Sequence, residues 1–201
     1  MTLSISNRFH AAAFAAALFA LAGCTAAIAP PAHIVEPANV AVLSHGRHAS
    51  LVVEAPGEDA MIRYAYGAWH GYALRQTGAR EAGRAGLWPS RAGLGRKRIE
   101  RPFSPQAVQR EVRVGIEKAI YLKAEAEAVR RLISRLDGTF RDGGVPSHNA
   151  AYDLDFVEHP DAYWIFHNSN HKIAEWLGEL GFAVEGGSIL SDWRRAAPQE
   201  P

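Results

Sequence analysis

Val40-Ala41-Val42-Leu43-Ser44-His45-Gly46-Arg47-His48-Ala49-Ser50-Leu51-Val52-Val53 sets two apolar, β-branched runs on either side of a short polar break. Side chains branched at Cβ suit a pleated, half-buried surface, and glycine suits the tight turn between two such surfaces. The stretch predicts strands over residues 40–43 and 49–54, joined tightly through Ser44-His45-Gly46-Arg47, or one bent strand. Residues 61–66 and 69–74 continue the strand pattern, with Gly67 as a turn or bulge between them.

Further along, the period changes. Ser104-Pro105 reads as an N-cap followed by proline at the first helical position, opening a short helix through about Arg110. Residues 112–116 and 119–122 read as strands around Gly115. Val129, Leu132, Ile133 and Leu136 recur at i, i+3, i+4 and i+7, so residues 124–136 form an amphipathic helix that Asp137-Gly138 ends. Residues 143–149 are turn-like, and 152–157 and 163–166 cluster as strands around His159-Pro160. Ile173, Trp176, Leu177 and Leu180 repeat the helical spacing, with Gly181 where a C-cap belongs and a strand over 182–185. The expected class is α+β, a mainly antiparallel sheet packed against helices.

Residues 78–101 carry Arg80, Arg84, Arg91, Arg96, Lys97, Arg98 and Arg101 among glycines, without an apolar period. They read as a long, basic, exposed loop. It is either a solvated insertion or a contact for anionic lipid headgroups or an acidic envelope polymer.

The N-terminus is of another kind. Arg8 precedes an uncharged, alanine- and leucine-rich run over residues 11–23, too short for a comfortable membrane span and of the length of a signal-peptide apolar core. Leu21-Ala22-Gly23-Cys24 resembles the lipobox of bacterial lipoproteins, in which the cysteine thiol receives a diacylglycerol and becomes the new N-terminus. The alternative is an ordinary secretory signal with Cys24 incidental. The resemblance implies membrane lipid as a partner through Cys24 and a periplasm-facing location. By resemblance to enterobacterial lipoprotein sorting, Thr25 rather than aspartate after the cysteine implies the outer membrane.

Residues 1–23 are thus expected to be a signal peptide and 24–39, rich in Ala and Pro, a lipidated tether. Residues 40–195 form one domain and 196–201 a frayed tail. With 22 basic against 21 acidic side chains the chain has no excess charge for nucleic acid, and none is expected as a partner. The chain has one cysteine, so no disulfide forms within it.

Two short segments carry the chemistry. Gly46-Arg47-His48-Ala49, leading into an apolar strand, resembles the histidine element of the circularly permuted papain-like domains, the NlpC-type hydrolases and relatives of lecithin retinol acyltransferase. Asn168-Ser169-Asn170, followed by an amphipathic helix and Leu180-Gly181, resembles their Asn-Cys-Asn nucleophile element. The closest likeness is to an uncharacterised envelope family of that group. The likeness spans residues 40–190, although only these stretches carry it, and it implies a permuted papain-like fold.

By that resemblance His48 is the general base and Ser169 stands at the nucleophile position, where the family has cysteine. A thiol with a pKa near 8.5 ionises beside an imidazole, whereas a serine hydroxyl must lose its proton during attack. Asn168, Ser169 and Asn170 are also all favoured N-cap residues, so capping alone accounts for them. His48 reads equally as a satisfied histidine at a strand entrance. His70 is the candidate third member that orients His48. The Trp-Gly-Asp pattern of related sequences is not reproduced near it. His167 and His171, with Asp155, Glu158 and His159 upstream, match no established ligand pattern, so neither metal nor cofactor is expected. Tyr152, Phe156, Tyr163, Trp164 and Phe166 read as core.

The expected function is a membrane-anchored envelope lipoprotein with a degenerate, non-catalytic site that binds peptidoglycan, a peptide or a lipid fragment, or that serves envelope assembly. The alternative is a serine-dependent amide or ester hydrolase using Ser169 and His48.

Overall fold

The computed structural model of the chain describes residues 25–72, 88–187 and 190–197. The expected signal peptide, Cys24, residues 73–74 of an expected strand, residues 78–87 of the expected basic loop and positions 198–201 of the tail lie outside the described residues. In chain order come β1 (Thr25–Ala29), β2 (Pro37–His45), β3 (His48–Glu54), β4 (Met61–Ala68), α1 (Trp69–Tyr72) and β5 (Ser90–Ile99). Then follow α2 (Pro105–Glu111), β6 (Lys118–Glu125), α3 (Ala126–Asp142), β7 (Ser147–Asn149) and β8 (Leu154–Tyr163). The chain closes with α4 (Ser169–Glu179), β9 (Ala183–Gly186) and β10 (Asp192–Arg195). The α+β class holds: seven strands pair antiparallel in the order β6-β2-β3-β4-β5-β8-β7, and a second sheet runs β10-β1-β9.

Alternation along each strand divides the large sheet into two faces. Val40, Val42, Leu51, Val53, Ile62, Tyr64 and Leu94 face α3 and α4, where Leu132, Leu136, Ile173, Trp176 and Leu177 complete the main core. On the other face Ala41, Leu43, Val52, Met61 and Ile99 pack beneath Val108 of α2 and Val112. Burial on both faces explains why residues 40–43 and 51–53 are unbroken apolar runs. The β2–β3 pairing ends at His45↔His48, leaving Gly46-Arg47 as a two-residue turn with Gly46 at φ +71°. Ser104 caps α2, its Oγ accepting the Ala107 N–H at 3.0 Å.

Several expectations need correction. The tether is in part a strand: β1 pairs antiparallel with β9 and parallel with β10, and Ala26 and Ile28 are fully buried. Its burial comes from partners far along the chain, which no local period announces. The basic loop is likewise a strand from Ser90 to Ile99. Its glycines misled, because Gly93 and Gly95 are the floor on which aromatic rings lie. A Cβ on Gly95 would stand 2.5 Å from Phe156 Cε1, and one on Gly93 3.2 Å from Trp69 Cε3. Of its cations, Arg96 is matched by Asp137 and Lys97 by Asp153.

Asp137-Gly138 does not end α3, which runs on to Asp142. Asp137 instead turns inward, accepting from Tyr64 Oη at 2.6 Å and from Arg96 Nε at 2.7 Å. Residues 69–72 are a helical turn rather than a strand, 112–116 are not a strand, and the turn-like 143–149 contains β7. The two strands expected around His159-Pro160 are one. Arg91 pairs with Ala162 and Ala92 with His159, so Pro160, which has no N–H to give, lies in a bulge.

Candidate functional site

The N-terminus of α4 docks on the β2–β3 turn. Asn168 is its N-cap, with Oδ1 accepting the N–H groups of Asn170 at 2.9 Å and His171 at 3.3 Å. His171 Nδ1 lies 3.1 Å from the same oxygen, and Asn168 Nδ2 donates to the Ile165 carbonyl at 3.0 Å. Asn170 Nδ2 reaches across to the Arg47 carbonyl at 3.0 Å, joining helix to hairpin. The side chains of the Asn-Ser-Asn segment thus hold the helix start and the turn together.

This docking brings His48 and Ser169 together, with His48 Nδ1 3.4 Å from Ser169 Oγ. The contact is longer than the usual ~2.7–2.8 Å of a hydroxyl hydrogen bond. Burial, and then the adjacent Arg47 guanidinium, hold the His48 imidazole below its ordinary pKa. At neutral pH the ring is therefore uncharged and able to accept a proton. Ser169, however, is 1% exposed, while His48 is half-buried. His70 lies in α1, and among the described residues no hydrogen bond or ion pair joins it to either partner.

Two further polar groups flank this pair. On one side Arg63, 2% exposed, gives Nε to Ser50 Oγ at 3.1 Å and Nη1 to the Tyr152 carbonyl at 2.9 Å. His45 Nε2 is 2.8 Å from the same Ser50 oxygen, and its Nδ1 is 2.8 Å from the Gly115 carbonyl. Burial lowers His45 to a pKa of about 4, against the Gly115 hydrogen bond and helped by Arg63 and His48.

On the other side Lys172, 6% exposed, bridges Asp161 Oδ2 at 2.7 Å and Glu175 Oε2 at 2.6 Å, and its Nζ lies 5.5 Å from the centre of the Tyr66 ring. His167 links Glu175, at 3.2 Å, to the Ala162 carbonyl, at 2.8 Å. Lys172 holds the Asp161 carboxyl below its ordinary pKa, and burial takes His159 down to about 4. This clasp of α4 to β8 was not read from the sequence. Its only local signal is Lys172 three residues before Glu175 on one helix face.

Of the side chains considered as metal ligands, His159 and His167 lie at the Lys172 clasp, and the other three have separate partners. Asp155 pairs with His148, Glu158 with Arg91, and His171 faces Asn168. Among the described residues no group of three or more His, Cys, Asp or Glu side chains is arranged to hold a metal ion. The aromatic residues expected as core divide: Phe156 is fully buried, whereas Phe166 is 59% exposed and packs edge-on against Trp164 at 5.2 Å. No family model matches the chain, and neither a curated protein nor a solved structure matches it.

Proposed function

We propose that the protein is a lipoprotein of the bacterial envelope, anchored through lipid on Cys24 and facing the periplasm from the outer membrane. Its domain is of permuted papain-like type and has a binding or assembly role rather than a catalytic one. Support for the fold type is the juxtaposition of a strand histidine with a serine in the first turn of an amphipathic helix. The candidate ligands remain peptidoglycan, a peptide or a lipid fragment.

One observation carries the non-catalytic reading. Asn168 Oδ1 occupies the N–H groups of Asn170 and His171, which would otherwise face a developing oxyanion, and Ser169 is closed off from solvent. A serine nucleophile needs both an accessible hydroxyl and free donors.

The 3.4 Å contact with a neutral His48 favours hydrolysis as a second reading. In it Ser169 Oγ would attack a carbonyl carbon as its proton passes to His48, which would return that proton to the leaving amine or alkoxide. Fluorophosphonate labelling of the purified protein separates the two. Absence of a Ser169 adduct is expected; an adduct that Ser169→Ala abolishes would establish the hydrolase instead.

A further inference from the structure

If Cys24 carries the lipid, the residue next to it begins a buried strand. Thr25 pairs with Asp192, its Oγ1 donating to Asp192 Oδ2 at 2.6 Å, and Ala26 behind it is fully buried. One peptide unit spans about 3.8 Å, so no slack separates the lipid from the fold. The domain is therefore held at the bilayer by one particular end.

That end can be traced by contacts. Ser191, beside Asp192, accepts from Ser44 Oγ through its carbonyl at 2.7 Å and donates its hydroxyl to the Gly46 carbonyl. Gly46-Arg47 is the β2–β3 turn, and the Arg47 carbonyl holds Asn170 at the start of α4. Asn168 in turn holds the Ile165 carbonyl. Antiparallel register carries the same end across the sheet, since Ser90, at the start of β5, pairs with Tyr163, at the end of β8.

Exposed apolar side chains gather there. Among the described residues the large hydrophobic side chains left open are Val35, Trp88, Val145, Ile165, Phe166 and Leu190. Trp88, two residues before Ser90, is 71% exposed; Ile165 is 40%, Phe166 59% and Leu190 43% exposed. Only Val35 and Val145 lie elsewhere: the Val35 N–H is bound by Glu125, at the far end of β6, and Val145 precedes β7 on the sheet edge. Trp164 stacks edge-on against Phe166, and Arg47, whose carbonyl holds Asn170 at the start of the following helix, is exposed. Indole and phenyl rings beside a cation are the side chains that settle at the boundary between headgroups and acyl chains.

We infer that the loop Trp164-Ile165-Phe166, with Trp88 and Leu190, is a membrane-seating surface that inserts into the bilayer interface beside the lipid on Cys24. The occupant is the lipid surface because the strand that follows the anchor point and the exposed apolar side chains lie at one end of the domain, where Ser191 ties the three-stranded sheet to the β2–β3 turn of the seven-stranded one. A consequence is that the end of the domain that buries the His48–Ser169 pair faces the membrane. The inference rests on the lipoprotein reading above.

Acylation consumes the single native thiol, so an introduced cysteine can be labelled alone. Full-length Phe166→Cys and Asp59→Cys variants, the latter at the opposite end in the β3–β4 turn, would be labelled with an environment-sensitive fluorophore. They would then be reconstituted into phosphatidylethanolamine–phosphatidylglycerol vesicles containing acyl-chain spin labels, and the mass of the Cys24 peptide read on the same samples. The expected result is acylated Cys24 with several-fold stronger quenching at position 166 than at 59. Acylated Cys24 with equal, weak quenching at both positions overturns the seating surface and leaves the anchor intact. Position 166 shielded from an aqueous quencher but not reached by the spin labels identifies self-association and also overturns it. An unmodified Cys24 overturns the anchor and, with it, this inference.

Discussion

Asn168 Oδ1 caps the N–H of Asn170 at 2.9 Å, so the Asn168-Ser169-Asn170 segment is closed by its own side chain. The same oxygen takes His171, and the amide nitrogen of Asn168 holds Ile165. Asn168→Ala is expected to cost about 2 kcal/mol, the upper part of the range for lost N-caps. Ser169→Ala, which removes only the long contact to His48, is expected to cost about 1 kcal/mol or less. Urea unfolding followed by tryptophan fluorescence checks the order; a larger loss for Ser169→Ala would contradict it.

Acid should destabilise the domain through His45 and His159, both lowered to about 4 by burial. Each is depressed in the folded state, so between about pH 6.5 and 4 the unfolded chain binds more protons than the folded one, and stability falls as the pH falls. For His159, whose side chain is 5% exposed, the full loss is at most about 3 kcal/mol. The urea midpoint should be flat above pH 7 and drop between pH 6.5 and 4. His159→Gln should flatten part of that drop.

The pair Arg96–Asp137, with side chains 24% and 22% exposed, also receives the Tyr64 hydroxyl. Asp137→Ala would strand both donors and is expected to cost roughly 2 kcal/mol or more. Arg91–Glu158, at 59% and 45% exposure, should contribute no more than about 0.5 kcal/mol when Glu158 is replaced by Ala. Thermal unfolding of both variants tests the contrast.

Gly95 lies under the Phe156 ring, where a Cβ would meet Cε1 at 2.5 Å. Gly95→Ala is expected to cost about 1–3 kcal/mol by overpacking. Phe156→Leu in the same chain should cost less than the sum of the two single changes, because the ring is the obstacle. Additive losses in a double-mutant cycle would place the strain elsewhere.

What could be read from the sequence follows from where each element finds its partners. Val129, Leu132, Ile133 and Leu136 announce α3 because a helix facing one core repeats every turn. Its end was misplaced because Asp137 looks like a stop signal until Tyr64 and Arg96 are set beside it. Strands β1 and β5 were illegible for a shared reason: Ala26, Gly93 and Gly95 show no local pattern, and their burial is supplied by residues such as Trp193 and Phe156 that lie far away in the chain. Strand β10 was missed in the same way, its one buried residue being Trp193. At the site, the resemblance alone points to His48 beside Ser169, and residue type alone points to capping, which Asn168 supplies. The clasp of Lys172 with Asp161 needed β8 and α4 in place.

The anchor underlies both the proposed function and the seating surface, and the mass of the N-terminal peptide tests it directly. Protein expressed in a bacterial host with intact lipoprotein processing and extracted from the membrane fraction should begin at Cys24 and carry diacylglycerol on that residue. A Cys24→Ala variant should lose the modification. Mature protein beginning at another residue, or with a free Cys24 thiol, would contradict the account.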